Sequence, residues 1–300
     1  MTSTPRTSFV IASRNRASEL AAVAQRLLDT TEGPIVLVDN ASGDDSVATM
    51  RRLQSHAQQR LTVVPLCNNL GAVARNIGVA HCDTEYVAFC DDDSWWEPKS
   101  IAAAESIFDL HPGVALLAAR TIVLPGGYDD PLTYALAHSP LGRWPNLPGP
   151  SVLGFLACAS IIRRSAFTAV GGFSPILHFR GEEQLMAWDL ASKGWHLCYC
   201  DELVTYHQPS KLRPPGEEQR ARALRNDTLS IWLRRPYRQC VRAGARLVRA
   251  ALREPAHRRA LWEAVQALPA VAAERRRLPD QVERALTAVD TDPDVNGSRH

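Results

Sequence analysis

Tyr86-Val87-Ala88-Phe89-Cys90-Asp91-Asp92-Asp93 is a five-residue apolar run that ends in three consecutive carboxylates. A run this short, apolar and rich in aromatic and β-branched side chains reads as a buried strand, and the acids mark where the chain leaves the sheet. Working back from it, residues 8–13, 35–39 and 61–65 have the same character. Helical patterns over residues 17–29, 44–56, 72–81 and 98–110 separate and follow these runs. The alternating order predicts an α/β fold, a mostly parallel central sheet flanked by helices. Ligands of such sheets gather beyond the carboxyl ends of the strands. There the sequence places Ser13-Arg14-Asn15-Arg16, Asp39-Asn40, Asn68-Asn69 and Asp91-Asp92-Asp93.

Three adjacent carboxylates repel one another unless a cation neutralises them, and hard oxygen ligands favour Mg²⁺ or Mn²⁺. The same run also reads as a solvated acidic turn that caps the helix beginning near Pro98. Asp39 has two readings as well. Its carboxylate can accept from the N–H of a nucleobase, or it can close an Asx-turn before the next helix.

The chain has 300 residues, 45% of them hydrophobic, which suits one large α/β domain with an appendage. A net charge of only +2 argues against a nucleic-acid binder. Seven scattered cysteines without a C-x-x-C pair fit neither a disulfide framework nor a zinc site and point to a reducing cytoplasm. Cys198 and Cys200 are expected on one buried strand face. Residues 1–7 lack the apolar stretch of a secretory signal, and residues 152–162 are too short to span a bilayer, so a cytoplasmic location is expected. The Pro- and Gly-rich segment 125–150 reads as a long loop. Residues 155–162 resume the apolar pattern, residues 182–193 read as a helix, and residues 195–200 and 203–207 as strands.

Val38-Asp39-Asn40-Ala-Ser-Gly-Asp-Asp-Ser46, Asn69-Leu-Gly-Ala-Val-Ala-Arg75-Asn76-Ile-Gly78 and Phe89-Cys-Asp91-Asp92-Asp93 resemble, in order, three motifs of glycosyltransferase family 2. The resemblance covers roughly the first 200 residues and implies the GT-A fold. It implies that Asp39 contacts the base, that the D-x-D pair Asp91 and Asp93 binds ribose and metal-diphosphate, and that Arg75 lies near the diphosphate. Arg75 otherwise reads as a surface helix arginine. Ser13, Asn15, Arg16, Asn69 and Asp92 stand at the same strand ends and are assigned with these to nucleotide-sugar binding, although Asp92 also reads as a residue that only shapes the turn.

Further on, Ser160-Ile-Ile-Arg163, Gly171-Gly172-Phe173 and Gly181-Glu182-Glu183 are similar to the family's acceptor-side segment, where the second carboxylate at a helix start is the general base. That implies Glu183 as base, with Glu182 as its rival; the family usually has Asp at the position of Glu183. Both also read as an ordinary acidic first helical turn. His207, at a strand end before Gln-Pro-Ser, is implied as a metal ligand with Asp91 and Asp93. Trp95 or Trp96 is expected to approach the acceptor, while Trp188 and Trp195 fit the core. Inverting transfer of a hexosyl or deoxyhexosyl group is implied, from a UDP- or dTDP-sugar to a hydroxyl on a glycan, glycolipid or polyprenyl-linked acceptor. A sugar nucleotidyltransferase would need a Gly-rich phosphate loop after the first strand, which Ser13-Arg14-Asn15-Arg16 does not provide. A non-catalytic sugar-binding homologue would have lost the acids.

The predicted organisation is a catalytic domain over residues 1–215, with a nucleotide-sugar half (1–120) and an acceptor half (151–210). A helical extension follows over 216–289, then a disordered tail over 290–300. Residues 213–259 hold thirteen arginines and no lysine. Arg238, Arg242, Arg246, Arg249 and Arg253 share one side of a helix, with Tyr237, Val241, Val248 and Leu252 on another. Such a helix either rests on anionic lipid or packs on the catalytic domain with a solvated arginine face. Arg225, Asn226 and Trp232 are expected, by the same resemblance, to close over the nucleotide site.

Overall fold

A computed structural model describes residues 4–57, 59–209 and 216–291. Its N-terminal half runs β1 (Thr7–Ser13), α1 (Ala17–Thr30), β2 (Ile35–Asp39), α2 (Ser46–His56), β3 (Leu61–Pro65), α3 (Val73–Ala80) and β4 (Tyr86–Cys90). These four strands lie in the order β3-β2-β1-β4 and pair in parallel. Parallel strands buried on both faces read as unbroken apolar runs. β2 and β4 are buried throughout, and β1 nearly so. The register sets Ser13 beside Asp39 and Ile11 beside Cys90, so the polar residues that follow emerge at one edge. Gly78 lets α3 lie close on the sheet, because a Cβ there would stand 2.5 Å from Val10 Cγ1.

Beyond β4 the sheet is mixed. β5 (Ser94–Trp96) and α4 (Pro98–Leu110) lead into β6 (Val114–Val123), β7 (Tyr128–Asp129) and α5 (Pro131–Ala137). β8 (Ser160–Arg163), α6 (Arg164–Val170), α7 (Glu182–Ser192) and β9 (His196–His207) follow. β8 inserts antiparallel between β4 and β6, β9 runs parallel to β6, and β5 pairs antiparallel at the far edge. Segment 125–150 is therefore not all loop. Asp130 caps α5 by accepting from the Leu132 N–H at 2.9 Å, with Pro131 in the first turn. The two strand patterns at 195–207 are one strand, whose register against β6 shifts between Ala119 and Arg120. Of residues 155–162, only the last three join a strand; Ala157–Ala159 form a 3₁₀ turn.

Alternation along the strands divides the core. Phe9, Ile11, Cys198 and Cys200 face α1 and α4, while Val10, Val38 and Phe89 face the side covered by α3 and α7. The second cluster continues into the C-terminal helices α8 (Gly216–Arg234), α9 (Tyr237–Arg253), α10 (Pro255–Gln266), α11 (Leu268–Glu274) and α12 (Asp280–Thr291). Two arginines of that region are buried in ion pairs. Arg234 makes a two-pronged contact with Asp189 of α7 at 2.5 and 2.9 Å, and Arg235 pairs with Glu283 and Asp290 of α12. On α9, Ala243, Leu247 and Ala251 are buried, whereas Tyr237 and Leu252 are 78% and 77% exposed. Asp290 and Thr291, placed in the tail by the sequence reading, complete α12; residues 292–300 lie outside the described residues. Among the described residues no helix is long and apolar enough to cross a membrane.

Candidate functional site

The strand ends meet in a cleft of about 370 Å³ lined by Ser13, Arg16, Asn40, Asn69, Arg75, Asp91, Asp92, Asp93 and His207. His178, Phe179 and Arg222 also line it. The three carboxylates of the acidic run separate by partner. Asp91 accepts from Arg75 Nη2 at 2.5 Å, and its backbone N–H donates to Ser94 Oγ at 2.8 Å. Asp92 turns towards β1, where it accepts from Ser13 Oγ at 2.6 Å and lies 3.8 Å from Arg16. Burial pushes its carboxyl up to about 7, although the Ser13 hydrogen bond opposes the shift. Asp93 faces His207 at 3.5 Å, because β5 and β9 pair Ser94 with His207. That contact raises the imidazole above its ordinary range, with burial acting the other way.

Arg75 is no surface arginine. It is 5% exposed on α3, and although burial disfavours its charge, Asp91, Glu182 and Glu183 outweigh that and keep it protonated. Glu182 and Glu183 open α7 just after Gly181, which takes a left-handed φ of 79°. Glu182 is 2% exposed, its Oε2 has no hydrogen-bond partner, and burial together with Glu183 pushes it up to about 8. Glu183 is less enclosed and is also raised, chiefly by burial.

Asp39 is buried beside Asn40 of the cleft. Its Oδ2 accepts from the Ser42 N–H at 3.0 Å, while its Oδ1 is buried without a partner. It therefore closes the local turn and still keeps one acceptor unused. Asn15 and Asn69 brace loops. Asn15 Oδ1 accepts from the Gly43 N–H at 2.8 Å, and Asn69 Oδ1 from the Gly71 N–H at 3.0 Å. At Gly71 the chain touches the opposite wall, and a Cβ there would stand 2.0 Å from the His178 carbonyl oxygen.

Two sets of sequence expectations need correction. Trp96 is fully buried, with its indole N–H donating to the Phe89 carbonyl at 3.0 Å, and Trp95 stacks between Arg26 and Tyr206. Neither lines the cleft: β5 carries both into the sheet, where large aromatics gain most by burial. Of Arg225, Asn226 and Trp232, none lines the cleft either. Arg225 pairs with Glu263, and Trp232 Nε1 donates to the Cys240 carbonyl. Asn226, wholly buried, acts from behind: its Nδ2 lies 3.0, 2.8 and 2.6 Å from the carbonyl oxygens of Leu177, Phe179 and Arg180. This contact supports a segment in which His178 and Arg180 hold positive φ. Arg222 of α8, not singled out in the sequence, is the extension residue that reaches the cleft.

Among the described residues no three His, Cys, Asp or Glu side chains already converge as a metal cluster. A carboxylate and an imidazole face each other at Asp93 and His207, with Asp91 on the same cleft, and these side chains are of the types that can take a divalent cation such as Mn²⁺.

Comparison with known proteins gives a consistent picture. The profile described as Glycosyl transferase family 2 matches residues 8–171. A pre-mycofactocin glycosyltransferase of Mycobacterium tuberculosis is 32% identical over 218 residues, which is 69% of this chain and 43% of that protein. An uncharacterized glycosyltransferase of Nostoc sp. is 27% identical over 135 residues, 44% of this chain and 41% of that one. The chain thus spans less than half the length of these relatives. Among solved structures, the mannosyltransferase PcManGT from Pyrobaculum calidifontis, in complex with GDP-Man and Mn²⁺, superposes with a TM-score of 0.61 at 19% identity, over 99% of this chain and 84% of that one. S. aureus TarS 1-349 in complex with UDP-GlcNAc gives 0.61 at 15% identity, over 98% and 90%. These likenesses show the GT-A fold.

Proposed function

The chain belongs to glycosyltransferase family 2, and we propose that it transfers a hexosyl or deoxyhexosyl group, with inversion, from a nucleoside-diphosphate sugar to a hydroxyl acceptor. The observation that carries this reading is the position of Arg75, which joins the acidic run at Asp91 to the carboxylates Glu182 and Glu183. The donor-binding edge and the start of α7 thereby form one electrostatic unit.

In this reading the unused Oδ1 of Asp39 accepts from the nucleobase, and Asn40 and Asn69 line the path of the nucleoside. Ser13 and Arg16 orient Asp92. Asp93 and His207, with Asp91, would hold Mn²⁺ or Mg²⁺, which when bound supplies positive charge for the departing diphosphate. Arg75 and Arg222 add positive charge on the same cleft. Glu183 is the base that takes the acceptor proton; its raised position brings proton affinity closer to neutrality, as general-base work requires. Glu182, buried and pressed by its neighbour, is held well above the ordinary carboxylate range, with Arg75 acting the other way.

The PcManGT and TarS structures hold GDP-Man with Mn²⁺ and UDP-GlcNAc, which supports a nucleotide-sugar donor and a cation here. We assign a UDP- or dTDP-sugar donor and a glycan, glycolipid or polyprenyl-linked acceptor. The exposed arginine and apolar faces of α9 support peripheral contact with an anionic membrane from the cytoplasm. Thermal-shift measurements with UDP-, dTDP- and GDP-sugars, with and without Mn²⁺, test the reading: one donor class should raise Tm several degrees only when Mn²⁺ is present. Absence of cation-dependent stabilisation by every donor contradicts it.

A further inference from the structure

Glu183, which does not line the strand-end cleft, stands on the wall of a separate cavity of about 220 Å³ beside the first turn of α7. Leu132 and Leu136 of α5, Leu153 and Phe155 of the following segment, and Val289 of α12 are its large apolar lining residues, with Val152 beside them. The polar groups there are few. Beyond Glu183 there are Gln184 and Ser139, and the Ser139 hydroxyl already donates to the Ser151 carbonyl at 2.6 Å.

We propose that this cavity is the acceptor subsite and that it narrows the acceptor classes assigned above by setting aside a bare glycan: the acceptor carries an apolar body, an aryl or branched alkyl group, adjoining the hydroxyl that reacts. The inference rests on the reading of Glu183 as the base. A base must come within about 3 Å of the proton donor, so the atoms next to the reacting hydroxyl occupy this cavity. A saccharide unit carries a hydroxyl on nearly every carbon, and each would lose its water against walls that offer almost no partners. One carboxylate and one amide, set among leucines, phenylalanine and valine, suit a single hydroxyl on a largely apolar frame. The cavity is smaller than the roughly 300–1,000 Å³ of sites that enclose drug-sized ligands, which limits the apolar body to one or two rings or their aliphatic equivalent.

The geometry also gives α12 a part in the reaction. Arg235 pairs with Glu283 and Asp290, and those contacts fix the helix that presents Val289 to the cavity. The C-terminal extension therefore helps to select the acceptor as well as packing on the catalytic domain.

Calorimetric titration of the full chain with benzyl alcohol, a single hydroxyl on an apolar frame, and methyl β-D-glucoside, hydroxyls on a saccharide, provides the test. It is run with and without Mn²⁺ and UDP. The wild type should bind benzyl alcohol at least tenfold more tightly. Gly154→Leu fills the cavity from a position where an added Cβ meets no atom within 4 Å, and Val289→Asp puts a charge into the same wall. Both variants should erase the preference while Mn²⁺-nucleotide stabilisation stays as in the wild type. Equal binding of the two compounds by the wild type, or a preference that survives in either folded variant, overturns the proposal. Absence of Mn²⁺-nucleotide stabilisation in the wild type speaks against the donor reading alone, because the comparison of the two compounds without nucleotide stands independently.

Discussion

Replacing Arg75 by methionine keeps most of the side-chain volume and removes the charge at the junction of the site. Asp91 would lose its partner at 2.5 Å, and Glu182 and Glu183 would lose the cation that partly offsets their burial. Breaking a buried pair by removing one partner costs about 3–5 kcal/mol, and the 34% side-chain exposure of Asp91 places this case near the lower figure. For a chain of 300 residues, about 3 kcal/mol corresponds to a fall in Tm of roughly 5 °C. The double variant Arg75→Met/Asp91→Asn removes the stranded charge and should recover at least half of the loss. Calorimetric unfolding of wild type, both single variants and the double variant at pH 7 measures the coupling directly. A fall of less than about 2 °C in Arg75→Met, or a double variant no more stable than it, refutes the assignment of Arg75 as the buried link between the acidic run and α7.

Glu183→Gln should keep Mn²⁺-dependent donor binding and lose transfer by about a hundredfold or more, whereas Glu182→Gln should keep measurable transfer; the opposite pattern in product assays moves the base to Glu182. Glu182 is held above its unfolded value, up to about 8, so the folded state retains a proton that the unfolded chain releases above about 4.5. Its contribution is therefore fully present at low pH and lost as pH rises towards 8, and urea unfolding across pH 5–9 should show a shallower decline for Glu182→Gln than for wild type. Asn226→Ala should destabilise by about 2–3 kcal/mol by leaving buried carbonyls without a donor, and should weaken nucleotide binding through residues 177–180, both read by denaturation and titration. Reversing Arg238, Arg242 and Arg249 to Glu should reduce sedimentation with anionic liposomes severalfold and leave Tm within a few degrees, since these arginines do not make the buried pairs of Arg234 and Arg235; unchanged sedimentation would leave α9 with a packing role only.

How far the site could be read from sequence follows from what holds each residue in place. Asp39, Asp91, Asp93 and His207 stand at strand ends, so a correct strand boundary also placed them on the ligand edge. Parallel strands buried on both faces made those boundaries plain in β1 to β4. The mixed half was harder. β9 carries the exposed Asp201 and Glu202 in its middle, which broke one strand into two patterns, and β6 gave no alternation because it is buried on nearly every residue until Arg120. β5, three residues long, has no periodicity to detect, so no pattern in the sequence marks Trp95 and Trp96 as buried. α5 did have a local signal, Asp130 before Pro131, inside a segment whose Pro and Gly content suggested loop alone.

Arg222, His178 and Phe179 had no comparable signal, because they reach the cleft from outside the strand pattern, with Asn226 holding residues 177–180 from behind. The same packing brings Val289 to the cavity beside Glu183. Buried Arg234 and Arg235 are two of the thirteen arginines whose clustering suggested only a surface, and they fix α7 and α12 to the end of α8. α7 begins with Glu182 and Glu183, so the pairing of Arg234 with Asp189 also holds the candidate base against the acceptor cavity. The donor edge is thus set by local strand chemistry and can be read residue by residue. The acceptor side is set by long-range contacts between the extension and α7, and changes in the C-terminal helices would alter acceptor choice before donor binding.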